Sequence, residues 1–441
     1  MVATRGGALT GADAAGPDAD FKRGVLGYKY VSPSCSVLER LYLNSFWDKC
    51  AASYPDWLAP NIITLTGGSC ILLAFSLAFG YSPGGCGEAP SWVYGVAAVL
   101  YFAYQTLDGS DGKQARRTKS GSSLGELMDH GVDAVTTGLI AAMMGDCFAL
   151  GTRSPIFWAF LLSGQIAFLL SNLTLVHRGK QTFYDVDVME VQTAMIVSLL
   201  ITGFAGVRWW RDDALVPIPS FFPFSMLAES KMDFGGRLGS YPGEWNDDTL
   251  DFTSGYAPLS LVFMGCGMMG VTKNIISCSV DVLRSYALPE GSRPSPIESG
   301  NPGCTLAGFA HQCACLAMHV AGSWAAFQGM REKAMPQDAY LALIICTCFA
   351  FGDLMDRVLI MRVAKVPLTL VPPVALITPG FAAMVRHGES VALLDGLGVD
   401  WWWLLAGAAI LVHVSYFVAV SRKIADVLQI HPFRIGKWKK K

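Results

Sequence analysis

Charge is scarce in this chain. Asp, Glu, Lys and Arg make up only 15% of its 441 residues, and 52% are hydrophobic, whereas ordinary soluble domains carry roughly 25% charge. That scarcity argues against a string of solvated domains and points to one bundle in lipid. Nor is there a basic excess: the formal net charge is −2, which gives no footing for nucleic acid as a partner. No secretory leader is visible in the first residues, and none is expected. The first twenty-odd residues are rich in Gly, Ala and Asp and read as a disordered tail, so the first long apolar run, near Asn61, is expected to be an uncleaved anchor. The twelve cysteines do not form a disulfide framework. Cys70, Cys266, Cys278, Cys313, Cys315, Cys346 and Cys348 lie in apolar runs, where cysteine acts as a small hydrophobe. Cys313 and Cys315 stand too close for a zinc knuckle, and reduced thiols are expected.

What the chain does have is apolar length. Ten segments, approximately 61–80, 91–107, 124–149, 155–176, 188–206, 256–282, 305–328, 338–360, 367–386 and 401–425, each approach the roughly 20 residues that cross a bilayer as a helix. The expected fold is all-α, a polytopic membrane bundle of about ten transmembrane helices. Ahead of it, Leu38, Leu41, Tyr42, Phe46 and Trp47 recur at helical spacing. They predict an amphipathic helix over 35–60, lying either in the membrane interface or as a soluble cap. The organisation that follows is a tail over 1–34, this helix, and a catalytic transmembrane half over 61–206. A non-cytoplasmic loop over 207–255, rich in Asp, Gly and Pro, comes next, with a short interfacial element around Phe221–Leu227. The remaining helices, over 256–425, would supply a lipid site or dimer contacts, and 426–441 is a basic tail.

Lys and Arg collect after the even-numbered segments: Lys113, Arg116, Arg117 and Lys119, then Arg178 and Lys180, Arg284 and Arg293, Arg362 and Lys365, and the C-terminal tail. The long loop after the fifth segment has Arg208, Arg211, Lys231 and Arg237, so the bias is modest. By the positive-inside rule it places both termini and the 108–123 segment in the cytoplasm.

That segment carries the chemistry. Asp108 and Asp111 are spaced i, i+3 and Asp129 and Asp133 i, i+4, so on helices each pair shares a face. As solvated loop acids, Asp108 and Asp111 would need no further account. Asp129 and Asp133, inside an apolar segment, are expensive unless protons or cations accompany them. An oxygen-only ligand set suits Mg²⁺, Mn²⁺ or Ca²⁺ rather than zinc, and two such ions can clamp a pyrophosphate. Gly125 and Gly112 lack a Cβ and would let a nucleotide approach. Arg116 presents a fork of donors to phosphate.

The run from Asp108 to Asp133 fits D-x2-D-G-x2-A-R-x8-G-x3-D-x3-D at every fixed position. A chance match at a given site is on the order of 10⁻⁹. The pattern resembles the signature of the CDP-alcohol phosphotransferases. Tyr104–Asp108, Asp111–Thr118, Leu124–Asp133, Leu58–Thr64, Asp187–Gln192 and Ile430–Ile435 are similar to blocks of the eukaryotic choline/ethanolamine group. The resemblance implies ten helices and two Mg²⁺ ions, with Mn²⁺ an alternative. Asp108 and Asp129 would touch both ions, Asp111 one and Asp133 the other. It makes His130 the general base, with Asp133 the competing assignment, and makes Asn61 and Arg116 contacts to the cytidine diphosphate. An imidazole near pH 7 suits the base role better than a metal-bound carboxylate. As a residue type, Asn61 also suits a helix N-cap after Pro60.

The reaction implied is transfer of phosphocholine or phosphoethanolamine from CDP-choline or CDP-ethanolamine to diacylglycerol. Glu190 would pair with the ammonium head, with Tyr184 or Trp92 supplying cation–π contact. Asp353, Asp356 and Arg357 fit either packing or lipid-head recognition, and His319 and His413 read as structural. Membrane lipids and a homodimer are the expected partners. Lys437-Trp-Lys-Lys-Lys441 is similar to a retrieval signal, suggesting the endoplasmic reticulum or Golgi, though a basic tail on anionic lipid reads equally well. A transferase with inositol or glycerol phosphate as acceptor is the alternative within the enzyme class. A cation transporter is the alternative outside it; the sequence lacks the internal repeat that reading calls for.

Overall fold

A computed structural model describes residues 17–28, 35–180, 188–210, 215–217, 231–233, 249–251, 256–298, 301, 303–366, 376–387 and 400–437. Most of the expected loop, the Phe221–Leu227 element, Tyr184 and the last four residues lie outside them.

The described residues begin with a helix inside the 1–34 segment that was expected to be a tail. Helix α1, Pro17–Leu26, buries Phe21 and Val25. Its Gly24 lies on the backbone of Ala364, and Asp18 binds Lys423 at 2.6 Å. The amphipathic segment follows. Ser36 and Glu39 form a capping box: the Ser36 N–H donates to Glu39 Oε2 at 2.7 Å, and the Glu39 N–H to Ser36 Oγ at 3.4 Å. A π-helical turn, Glu39–Leu43, runs into α2, Asn44–Ser53. Trp47 and Ala51 are buried, while Leu41 and Tyr42 stay 64% and 71% exposed.

Helices lie in each of the ten apolar segments, although only 376–386 of the ninth falls among the described residues. They are α3 (Pro60–Tyr81), α4 (Ser91–Arg117), α5 (Ser123–Cys147), α6 (Pro155–Arg178), α7 (Val188–Ala205), α8 (Leu259–Ala287), α10 (Leu306–Glu332), α11 (Gln337–Ala364), α12 (Ile377–His387) and α13 (Trp401–Leu428), with a short α9 (Ser295–Glu298) between. Among the described residues, α3, α6, α7 and α13 are long and apolar enough to cross a membrane. Helices α4 and α5 are 27 and 25 residues long, but carry the charges of the motif. Local chemistry sets the starts: Pro60 and Pro155 occupy first-turn positions that need no N–H. Ser122, Ser154 and Thr305 cap α5, α6 and α10 through side-chain oxygens. Gly179 at φ 72° ends α6.

Helices α5 and α11 form the buried centre. Tyr94, Tyr101, Trp158, Phe327 and Phe381 fill one apolar core, and Leu124, Leu127, Leu169, Phe351 and Leu359 the other. The 207–255 region contains short antiparallel pairs, β1 (Leu215–Pro217) with β4 (Tyr256–Pro258) and β2 (Lys231–Asp233) with β3 (Thr249–Asp251). After α13, β5 (Ile430–His431) and β6 (Arg434–Lys437) form a hairpin turning at Pro432–Phe433. Every cysteine with a described side chain is free.

Candidate active site

Helix α4 continues unbroken to Arg117, so Asp108 and Asp111 are both helical and one turn apart. A short turn then leads to Ser122. The Thr118 N–H and hydroxyl return to the Gln114 carbonyl, and Lys119 adopts φ 54°. The eight unspecified residues between Arg116 and Gly125 are thus the turn that folds α5 back beside α4.

The turn brings Asp108, Asp129 and Asp133 together, with one carboxylate oxygen of each within 4.8 Å of the others. At that separation two unit charges repel by about 3 kcal/mol at an effective dielectric of 20. The Tyr104 hydroxyl, one turn before Asp108, donates to Asp133 Oδ1 at 2.6 Å and accepts from Thr136 at 3.1 Å. The donor set is entirely oxygen, which fits a hard divalent cation. Asp111 stands outside this trio. It is buried, and its Oδ2 accepts from the Thr64 hydroxyl of α3. The expected quartet is therefore three gathered carboxylates plus a neighbour held by α3.

The opposite face of the motif helix is clamped by the 36–58 segment. The Trp47 indole lies where a Cβ on Gly109 would be, so only glycine fits there. Lys113 binds Asp48 at 2.8 Å, Tyr54 bonds Ser110 at 2.9 Å, and Gln114 donates to the carbonyls of Pro55 and Leu58. Arg117 binds Asp56 and the Tyr54 carbonyl.

A family model described as CDP-alcohol phosphatidyltransferase matches residues 57–217. Cholinephosphotransferase 1 of Danio rerio is 36% identical over 194 residues, 44% of this chain and 48% of that protein. Cholinephosphotransferase 1 of Homo sapiens is 36% identical over 191 residues, 43% and 46% respectively. Choline/ethanolaminephosphotransferase 1 of Arabidopsis thaliana is 34% identical over 202 residues, 45% and 51%. Residues 57–217 are thus similar to a CDP-alcohol phosphatidyltransferase domain. The match spans about half the length of these relatives.

Within and beside this matched region the remaining predicted residues divide. Arg116 is exposed beside Gly112, where a Cβ would lie 3.6 Å from its Nη1. His130 is half-buried. Asn61 does not cap α3. Ala59 is the N-cap and Pro60 the first helical residue, which leaves the Asn61 amide free to donate to the Pro432 carbonyl at 2.8 Å. A Cβ on Gly125 would lie 3.8 Å from Asn61 Oδ1. Glu190 Oε1 accepts the Leu38 N–H at 2.8 Å, so this acid also caps the amphipathic segment. Tyr104 and Thr64 were not assigned roles from sequence. Each sits one helical turn from a residue that was, Asp108 and Asn61, and that spacing was the available signal.

Behind α5 lies a second polar group. Arg357 Nε donates to Asp353 Oδ2 at 2.5 Å and its guanidinium stacks 3.9 Å from the Tyr416 ring centre. His413 Nδ1 lies 3.4 Å from Asp356 Oδ2. His319 Nε2 bonds Gln165 at 3.0 Å, the structural role expected of it.

Proposed function

We propose that the chain is a membrane-embedded transferase that moves phosphocholine or phosphoethanolamine from a CDP-alcohol to the sn-3 hydroxyl of diacylglycerol, releasing CMP. The observation that carries this reading is the trio Asp108, Asp129 and Asp133, gathered at the α4–α5 corner inside the matched domain. The names of the relatives support the donor and acceptor classes.

In this reading the ten helices α3–α8 and α10–α13 all cross the bilayer, and 36–53 lies at its cytoplasmic interface with Leu41 and Tyr42 toward lipid. Two Mg²⁺ or Mn²⁺ ions are held by the trio and Asp111, and supply charge neutralisation to the diphosphate and the departing oxygen. Arg116 binds the diphosphate, and Gly112 and Gly125 leave room for it. The sn-3 oxygen attacks the β-phosphorus, and the bond from that phosphorus to the CMP oxygen breaks. The hydroxyl proton passes to a ring nitrogen of His130, with Asp133 the alternative acceptor. The charge of Glu190 would favour the quaternary or primary ammonium of the donor. The membrane is that of the endoplasmic reticulum or Golgi, and the working unit a homodimer.

The test is direct. Purified protein in lipid nanodiscs receives Mg²⁺, diacylglycerol and either CDP-choline or CDP-ethanolamine. CMP should appear in step with the matching phospholipid. If neither donor releases CMP, or if release requires inositol or glycerol phosphate in place of diacylglycerol, the reading fails.

A further inference from the structure

The C-terminal hairpin has no role in the mechanism above, yet it reaches the site. Its strands follow α13 after Gln429, which ends that helix at φ 55°. The pairing of Ile430 with Lys437 and His431 with Arg434 leaves Pro432 and Phe433 as the turn. That turn is tied to the matched domain across 371 residues of chain by the Asn61 amide, which donates to the Pro432 carbonyl. The other end of the same amide faces Gly125. Gly125 is one helical turn, about 6 Å, before Asp129. The hairpin tip therefore stands beside the carboxylate trio, within the span of a nucleoside diphosphate.

Two groups are presented there. Phe433 is 46% exposed, and Arg434 is exposed. An aromatic face and a guanidinium are what a pyrimidine base and a diphosphate take up: the first by stacking, the second by charge-assisted hydrogen bonds. Proline at the turn presets the backbone and removes an N–H, which leaves the Pro432 carbonyl as the group that fastens the hairpin to Asn61.

We infer that the hairpin tip completes the nucleotide subsite, with Phe433 stacking on the base of the CDP-alcohol and Arg434 binding its diphosphate, both held in place by the Asn61–Pro432 hydrogen bond. This rests on the reading that the donor is a CDP-alcohol. It assigns nucleotide binding to residues more than 200 positions beyond the matched domain.

Phe433→Ala and Arg434→Ala are compared with the wild type and with Arg422→Ala, which removes an exposed charge from α13 away from the tip. Initial rates give KM for CDP-choline and for diacylglycerol separately. Binding without turnover is read as the shift in Tm on adding CMP. For each tip variant we expect KM for CDP-choline to rise about tenfold, KM for diacylglycerol to hold, and the CMP-induced shift to shrink. Phe433→Tyr, which keeps the ring, should restore the wild-type KM, and Arg422→Ala should match the wild type. An unchanged CDP-choline KM in both tip variants overturns the inference. So does a rise in the diacylglycerol KM instead, which would make the tip a membrane contact. A wild type that turns over no CDP-alcohol, by contrast, defeats the functional reading itself. CMP binding then still judges the tip: a shift lost in the variants keeps the subsite, and one retained removes it.

Discussion

Helix α5 separates two acidic groups that look alike in composition and differ in what balances them. On one face stand Asp129 and Asp133, joined by Asp108 from α4; the hydrogen bond donor found for this trio is the Tyr104 hydroxyl. At 100° per residue, Gly131 faces about half a turn away from that stripe, and there a Cβ would lie 2.6 Å from Asp356 Oδ1. The rear group brings a cation for one of its acids: Arg357 holds Asp353 and stacks on Tyr416, while Asp356, beside His413, has no hydrogen-bond partner among the described residues. Buried acids whose counter-ion is supplied by the protein belong to packing. Those left to repel one another await a charge from outside. The contrast accords with the proposed catalysis at the front of α5 and gives the Arg357–Asp353 pair a packing role at its rear.

Neutralising the front should break function without breaking the fold. Asp108→Asn and Asp129→Asn keep size and hydrogen bonding but remove the ligand charge, and CMP release should fall by about 10²–10³-fold or more. The same variants should lose any stabilisation of Tm by Mg²⁺ plus CMP, while their Tm in chelator stays at or above the wild-type value because repulsion is relieved. A variant that keeps turnover would put the chemistry elsewhere.

Neutralising the rear should do the reverse. Arg357→Ala leaves the buried Asp353 without its partner, a change that costs about 3–5 kcal/mol when one side of a buried pair is lost. The expected signature is a lowered Tm with the specific activity of the remaining folded fraction unchanged. Lost turnover at an unchanged Tm would instead move Arg357 into the substrate site.

Much of this was legible in the sequence, for reasons that also explain what was not. The described parts of the ten apolar runs are mostly helical, and four of those helices are long and apolar enough to cross a membrane, which is the form a segment in lipid must take to satisfy its own backbone. The motif spacing placed Asp108, Asp129 and Asp133 together because a helix, a tight turn and a helix leave little freedom. Three things escaped. Helix α1 is short and weakly patterned, and its burial of Phe21 and Val25 depends on the α11 and α13 surfaces, which sequence neighbours do not reveal. Asn61 looked like a cap, but Pro60 claimed the first helical position and moved the cap back two residues to Ala59. That Thr64, on a different helix, donates a hydroxyl to Asp111 was not legible either. The Asn61 boundary is set by its neighbour Pro60; the other two misses are contacts between residues distant in sequence.

Tyr104 is one such contact with a measurable consequence. Tyr104→Phe removes a single hydroxyl from Asp133 and from Thr136 while keeping the ring in the core. A partner of this kind orients a ligand carboxylate, and its loss typically costs 10–100-fold in metal affinity. The Mg²⁺ concentration for half-maximal activity should therefore rise about tenfold, with the rate at saturating Mg²⁺ reduced far less than in Asp129→Asn. A matching loss at saturation would mean that the hydroxyl takes part in the chemistry rather than in holding the ligand.

The smallest effect sharpens the front of the comparison at its edge. Glu190 Oε1 already accepts the Leu38 N–H, and an amide oxygen accepts as well as a carboxylate does, so Glu190→Gln keeps the cap while deleting the charge. Tm should then stay within the range of ordinary surface changes. If the charge also favours the ammonium of the donor, KM for CDP-choline should rise a few-fold, as suits a partly solvated ion pair of about 0.5–1 kcal/mol. Glu190→Ala removes both functions and should lower Tm as well, because the first turn of the amphipathic segment loses an acceptor for one of its unpaired N–H groups. If the glutamine variant instead loses stability at constant KM, the acid serves the 36–53 segment alone, and the ammonium must find its counter-charge elsewhere in the domain.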